Sequence, residues 1–365
     1  MGGPKARRAP VTSAVRRAGL AVLISCAVSA GSDRARADQN DLRLLNLCDF
    51  SSGSCPWINQ SGGETVVEFG ADTQATSRYR SLMSELGVVM APRLQTPADT
   101  LGFAGFQFSA EIGTTQISRD KPFWNGVEAV NPTNTRGRPN GWLTTVGLFA
   151  RKGMWLPVPA LEWGVGAVNL LQSGLWAVQG YVKLALQEGF HEWPLPSLAV
   201  RGGFSQLVGT DQVNMTIGSV DVLMSKAVSI AGTVRLEPFG GWNLLLIDAR
   251  SGVIDGTPGC DAVLLQQTKQ SDAAGLAMLP SACPVAQAGG WGDLGANFAF
   301  PRQDLITRNR LYAGAKVRLA SAFFVAQAAV TPAGKSIDAK SAAGTSARDQ
   351  SGSQKSFSLS LGMDF

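Results

Sequence analysis

The last eleven residues, Lys355-Ser-Phe-Ser-Leu-Ser-Leu-Gly-Met-Asp-Phe365, decide the fold. Phe357, Leu359, Leu361, Met363 and Phe365 are apolar, and Ser356, Ser358, Ser360, Gly362 and Asp364 between them are small or polar. An alternation of period two puts every apolar side chain on one face of a β-strand. What that apolar face meets is the question, and the chain upstream answers it.

The same pattern recurs from residue 102 onward. Candidate strands cover residues 102–117, 141–152, 158–170, 174–188, 196–208, 212–225, 229–248, 307–319, 322–331 and 355–365. In 174–188, Trp176, Val178, Val182, Leu184 and Leu186 face one way, and Gln179, Tyr181, Lys183 and Gln187 the other. Each segment reaches the roughly 9–11 residues that a tilted strand needs to cross a bilayer. Gly is abundant at 42, charged residues make up only 16%, and no apolar run after residue 37 is long enough for a transmembrane helix. Apolar-out, polar-in strands of this composition predict an all-β protein, a transmembrane antiparallel up-and-down β-barrel of about ten strands. Twelve strands would require recasting residues 62–70 and 77–91 as strands. The second of these places Tyr79, Met83, Leu86 and Met90 at helical spacing and stops at Pro92, which predicts a short amphipathic helix.

The N-terminus reads as an export signal. Lys5, Arg7, Arg8, Arg16 and Arg17 form a basic region, residues 18–30 an apolar stretch too short to span a bilayer, and small-residue cleavage sites end at Ala30 and Ala37. Leu23-Ile24-Ser25-Cys26 resembles a lipobox, which leaves lipidation at Cys26 as an alternative. The predicted organisation is a signal peptide over 1–37, a periplasmic N-terminal segment with the short helix over 38–101, and the barrel over 102–365. Residues 1–37 hold seven of the 32 bases and one of the 27 acids, leaving 25 bases and 26 acids in the rest. The formal charge of +5 therefore belongs to the leader and gives no reason to expect nucleic acid. Beyond Cys26, an exported chain with Cys48, Cys55, Cys260 and Cys283 suggests disulfides, with Cys48–Cys55 and Cys260–Cys283 the natural pairs. Neither pair has metal-ligand spacing and His191 is the single histidine, so no metal or other cofactor is expected.

Connection lengths fit this orientation. With the C-terminus in the periplasm, the long connections 118–140, 249–306 and 332–354 all fall on the outer side and short turns on the periplasmic side. Pro238 and Gly240-Gly241 interrupt one strand and suggest a bulge near the outer rim.

With signal, terminal alternation and loop rhythm in place, the chain resembles the broad porin-like class of Gram-negative outer-membrane β-barrel proteins. The Phe357-to-Phe365 strand looks like the C-terminal β-signal by which such barrels are recognised for assembly. The resemblance implies a cell outer-membrane location, contact with outer-membrane lipid and handling by the barrel-assembly machinery. It carries no functional residue across.

Candidate chemistry lies in the lumen. Arg308, Arg310, Tyr312, Lys316 and Arg318 share one strand face, opposite Leu311, Val317 and Leu319. A base on the lipid face costs about 2–4 kcal/mol at mid-depth, so this strip must point inward. Parity also places Glu111, Arg151, Glu162, Lys183, Arg201, Arg235 and Glu237 inward. Two readings follow: bases salt-bridged to Glu111, Glu162 and Glu237 inside a filled, structural or surface barrel, or a narrow porin-like channel for small anionic solutes. A third is binding through the outer loops. His191 falls in a predicted periplasmic turn and no catalytic constellation accompanies it, so a non-enzymatic protein is expected.

Overall fold

A computed structural model describes residues 38–48, 67–68, 74–130, 137–154, 160–188, 195–230, 234–255, 297–334 and 347–365. Residues 1–37, Cys55, His191, Cys260 and Cys283 lie outside this set, and with them the signal peptide, the Cys26 alternative and both expected cysteine pairings.

Ten strands form the wall: β1 (Phe106–Gln116), β2 (Trp142–Met154), β3 (Leu161–Leu170), β4 (Trp176–Gln187), β5 (Ser197–Val208), β6 (Val213–Ser225), β7 (Val234–Ser251), β8 (Ile306–Leu319), β9 (Ala322–Thr331) and β10 (Gln354–Asp364). Each pairs antiparallel with the next, and β10 pairs with β1 through Leu359↔Ile112 and its neighbours, closing a ten-stranded barrel. Closure satisfies every ladder, which is what a wall in hydrocarbon requires. Among the described residues no helix is long and apolar enough to cross a membrane.

The strand pattern differs from expectation around β7. The strand runs from Val234 to Ser251 with regular partners on both sides, and its pairing passes through Pro238 and Gly240-Gly241 without a shift. The expected bulge is absent, and these residues lie in the lower half of the wall, far from the outer rim. Pro238 sits level with the end of β6, where little of the ladder remains to be disturbed. Gly241 makes room for a neighbour, since a Cβ there would lie 2.7 Å from the Tyr312 hydroxyl. The turn expected at 226–228 is also displaced, because Val228–Ile230 continues the ladder by pairing with Val234–Leu236.

One helix, α1 (Gln74–Val89), accompanies the wall, close to the predicted span. Its place is the main correction. Of residues 38–101, the described stretches 38–48 and 74–101 pack against and inside the wall rather than forming a separate segment beside it. Asn40 and Asp41 bond to the β3–β4 connection at Gln172, Leu171 and Gly174, and Arg43 to Gly126 and Glu128 of the β1–β2 connection. Those connections lie at the end bearing the long loops, which faces out of the cell in barrels of this class. From there α1 enters the barrel, and residues 90–101 run on through the lumen to the opposite end.

The reason is a second apolar surface inside the wall. Tyr79, Leu82, Met83 and Leu86 of α1, with Met90 just beyond it, are almost wholly buried, in one cluster with Leu143, Leu170, Leu207, Met215, Ile217, Leu245 and Ile247. These wall residues face inward in the outer halves of their strands. Gly87 allows the approach, since a Cβ there would lie 2.5 Å from Ile247 Cδ1. Burying a Leu- or Met-sized side chain is worth about 1.5–3 kcal/mol relative to exposure, and Leu82, Met83 and Leu86 on one helix, with Tyr79 beside them, fix its location.

Candidate functional site

The wall has two chemically distinct faces. Outward, Leu311, Leu319, Val330, Phe357, Leu359, Leu361 and Met363 are exposed, as are Trp142, Trp163, Trp176 and Phe365. Trp142 packs on Phe357 near the outer end, and Phe106 on Phe365 near the lower end, with ring centroids 5.9 Å and 6.4 Å apart. Exposed apolar bands with aromatics at both rims are the lipid contact of a transmembrane barrel. Inward, charges are buried almost completely. The chain is a closed antiparallel β-barrel with an apolar outer surface and a charged interior.

Most inner charges form local pairs across neighbouring strands, while Lys316 of β8 reaches past β9 to Asp364 of β10. Arg151 of β2 bonds Glu111 of β1, and also Gln107 and Ser109. Lys183 of β4 lies 3.1 Å from Glu162 of β3, which also accepts from the Tyr181 hydroxyl. Arg201 of β5 meets Asp221 of β6 at 2.5 Å, and Tyr312 donates to the same carboxylate at 2.8 Å. Lys316 reaches Asp364 at 3.0 Å. Asp221 and Asn243 were missed by the sequence reading. Asp221 shares its parity with Ser219 and Leu223, so the same alternation rule would have found it.

Residues 90–101 take up much of what remains. Gln179 donates to the carbonyls of Met90 and Ala91, and Arg310 Nη2 to the carbonyl of Pro92 at 3.0 Å. Arg93 donates to Thr145 at 2.5 Å, in the space left by Gly113. Arg201 bonds Thr96 at 2.6 Å, and Lys183 Nζ bonds the carbonyls of Pro97 and Asp99 at 2.9 and 2.8 Å. Ala98 N–H donates to Ser225, and Leu101 N–H to Glu162. An extended segment has no ladder of its own, and buried carbonyls left bare would each cost about 1–3 kcal/mol. The wall cations supply those partners.

The predicted strip divides along its length. Arg308 bonds Ser84 of α1, Ser351 and the carbonyls of Pro332 and Gly352. Arg310 bonds Asn243 and Pro92. Lys316 and Arg318 lie at the lower end beside Asp364. The acids Glu111 and Glu162 are paired with Arg151 and Lys183, whereas Glu237 has Arg235 Nε no nearer than 3.9 Å. The bases and these three acids therefore do not form one continuous network, because the threaded segment separates them.

Glu85 of α1 fastens the outer end. Its carboxylate accepts from Ser118 N–H at 2.9 Å, the Trp124 indole at 2.7 Å and Gly352 N–H at 2.9 Å. Two separate outer connections thus close onto one buried acid. In the same region burial raises the Tyr79 phenol well above its usual pKa, with Asp248 adding to the effect.

No family model and no curated protein matches the chain. Solved outer-membrane barrels are similar at low identity. Ail, the attachment invasion locus protein of Yersinia pestis, solved with the heparin analogue sucrose octasulfate, is 9% identical over 72% of this chain and 99% of that one, with a TM-score of 0.22. Omp33 of Acinetobacter baumannii is 8% identical over 73% and 99%, with a TM-score of 0.23. OmpT, an outer membrane protein of Vibrio cholerae, is 10% identical over 62% and 57%, with a TM-score of 0.22. Likeness at this level transfers no residue and no function.

Proposed function

We propose that this protein is a non-enzymatic structural or surface barrel whose lumen is stoppered by its own N-terminal segment. The observation that carries the reading is the passage of residues 90–101 along the lumen, with Arg310, Arg201 and Lys183 bound to that segment. Cations held by backbone carbonyls are not free to draw anions through. A channel lined by the same strip would need those side chains in open water.

The reading extends to biogenesis. An export signal over 1–37, cleaved after Ala30 or Ala37, delivers the chain to the periplasm. The outward-facing Phe357, Leu359, Leu361, Met363 and Phe365 serve the assembly machinery before they serve lipid. Disulfides Cys48–Cys55 and Cys260–Cys283 belong to the same reading, formed in the oxidising compartment the export signal leads to.

Planar-bilayer conductance of the refolded mature chain, across a salt gradient, tests the function. Insertion without steady openings is the expected result. Steady anion-selective openings that weaken in Arg310→Glu and Lys316→Glu would replace the stoppered barrel with the narrow anion channel.

A further inference from the structure

Below the threaded segment, at the end where the chain terminates, the lumen opens into a cavity of about 480 Å³. Four bases and four acids line it, so it has no net preference for anion or cation. Their partnering is uneven. Asp364 is shared by two bases, with Lys316 Nζ at 3.0 Å and Arg318 Nη1 at 3.7 Å. Glu237 and Asp99 share one base, with Arg235 at 3.9 Å from the first and 3.0 Å from the second. One group thus holds a surplus of positive charge and the other a surplus of negative charge.

The two groups are neighbours. Lys316 is the cross-strand partner of Glu237, and Arg318 of Arg235. Directly opposed residues of this kind have Cβ atoms about 5 Å apart. Lys316 nevertheless turns toward Asp364 and leaves Glu237 with a single 3.4 Å contact from the Ser225 hydroxyl besides Arg235. Gln95 lines the same cavity at 2% exposure, and neither its amide nitrogen nor its amide oxygen has a partner in the chain. Asp99 Oδ1 is likewise unpartnered.

We propose that this cavity binds a small zwitterion of the amino-acid or short-peptide class. The ammonium group lies against Glu237 and Asp99, and the carboxylate against Lys316 and Arg318. A net anion would meet Glu237 and Asp99 unscreened, and a net cation would meet Lys316 and Arg318. The site opens toward the periplasmic end, so its ligand arrives from the periplasm. The inference rests on the stoppered reading only in keeping residues 95–101 in place as the roof of the cavity.

The test is isothermal titration of the refolded mature chain in detergent with dialanine, and with acetate and ethylammonium as half-ligands. Saturable binding of dialanine is expected, with neither half-ligand saturating over the same range. Glu237→Gln and Lys316→Gln should each weaken it by about tenfold or more, in protein whose folding is checked by its heat-dependent gel mobility. No saturable heat with dialanine in the unaltered chain overturns the proposal, as does acetate binding as tightly as dialanine. Conductance of the same preparation separates the two readings: steady openings with dialanine binding intact would overturn the stopper and leave the site standing.

Discussion

Arg310 Nη2 donates to the carbonyl oxygen of Pro92 at 3.0 Å, joining the eighth strand of the wall to a residue 218 positions earlier. Asn243 holds the same guanidinium at 3.1 Å from the adjacent strand. Arg310→Ala leaves a buried carbonyl and a buried amide oxygen without their donor. Its unfolding free energy in urea, followed by tryptophan fluorescence, should fall by about 1–3 kcal/mol. An unchanged midpoint would mean that the threaded segment is not held there.

Passage of the segment through the lumen predicts a specific cross-link. Ala98 N–H lies 3.0 Å from Ser225 Oγ on the inner wall. The double variant Ala98→Cys with Ser225→Cys should form a disulfide in folded protein under mild oxidation, identified by mass spectrometry of the joined peptides, and none in urea. Its absence from folded protein would place the segment elsewhere.

At the outer end, Glu85→Gln turns an acceptor into a donor facing Gly352 N–H, or facing Ser118 N–H and the Trp124 indole. A loss of about 1–3 kcal/mol is expected, with a shift in tryptophan emission as the Trp124 indole loses its partner. Unaltered emission and stability would show that the clamp contributes nothing.

The two faces of β8 should differ in their tolerance of charge. Leu311 is 58% exposed on the lipid side, next in sequence to the buried Arg310. Leu311→Arg should lower the stability of the barrel refolded in lipid vesicles by about 2–4 kcal/mol, while leaving folding in detergent less affected. Equal stability in vesicles would put that face out of lipid.

The wall was legible because its physics is local. Alternation at Phe357 to Phe365 and at Trp176 to Leu186 depends only on which side of a strand meets hydrocarbon, and closure follows from strand count and connection length. The helix was legible too, from the spacing of Tyr79, Met83, Leu86 and Met90. Its destination was not, because that depends on residues over a hundred positions away. A signal did exist. In the outer halves of the strands the inward parity is apolar as well, as in Leu244-Leu245-Leu246-Ile247 and at Met215 and Ile217. A water-filled lumen has no use for Leu245 and Ile247, so apolar residues on both parities announce something that fills it. The uneven charges of the lower cavity were beyond reach, since Lys316 choosing Asp364 over its cross-strand partner Glu237 is a matter of side-chain geometry.

The bonds of Ser84 to Asp349 and of Glu85 to Gly352 span 265 and 267 residues of chain. Helix and threaded segment precede every strand of the wall in sequence, yet some of the helix's partners come from the far end of the chain. Loops of that length cost entropy before any contact rewards them, and topologies rich in such contacts fold slowly. The bonds of Ser84 and Glu85 to residues 349 and 352 can close only once the approach to the last strand is in place, so the helix is locked to the finished wall rather than to the strands that follow it in sequence.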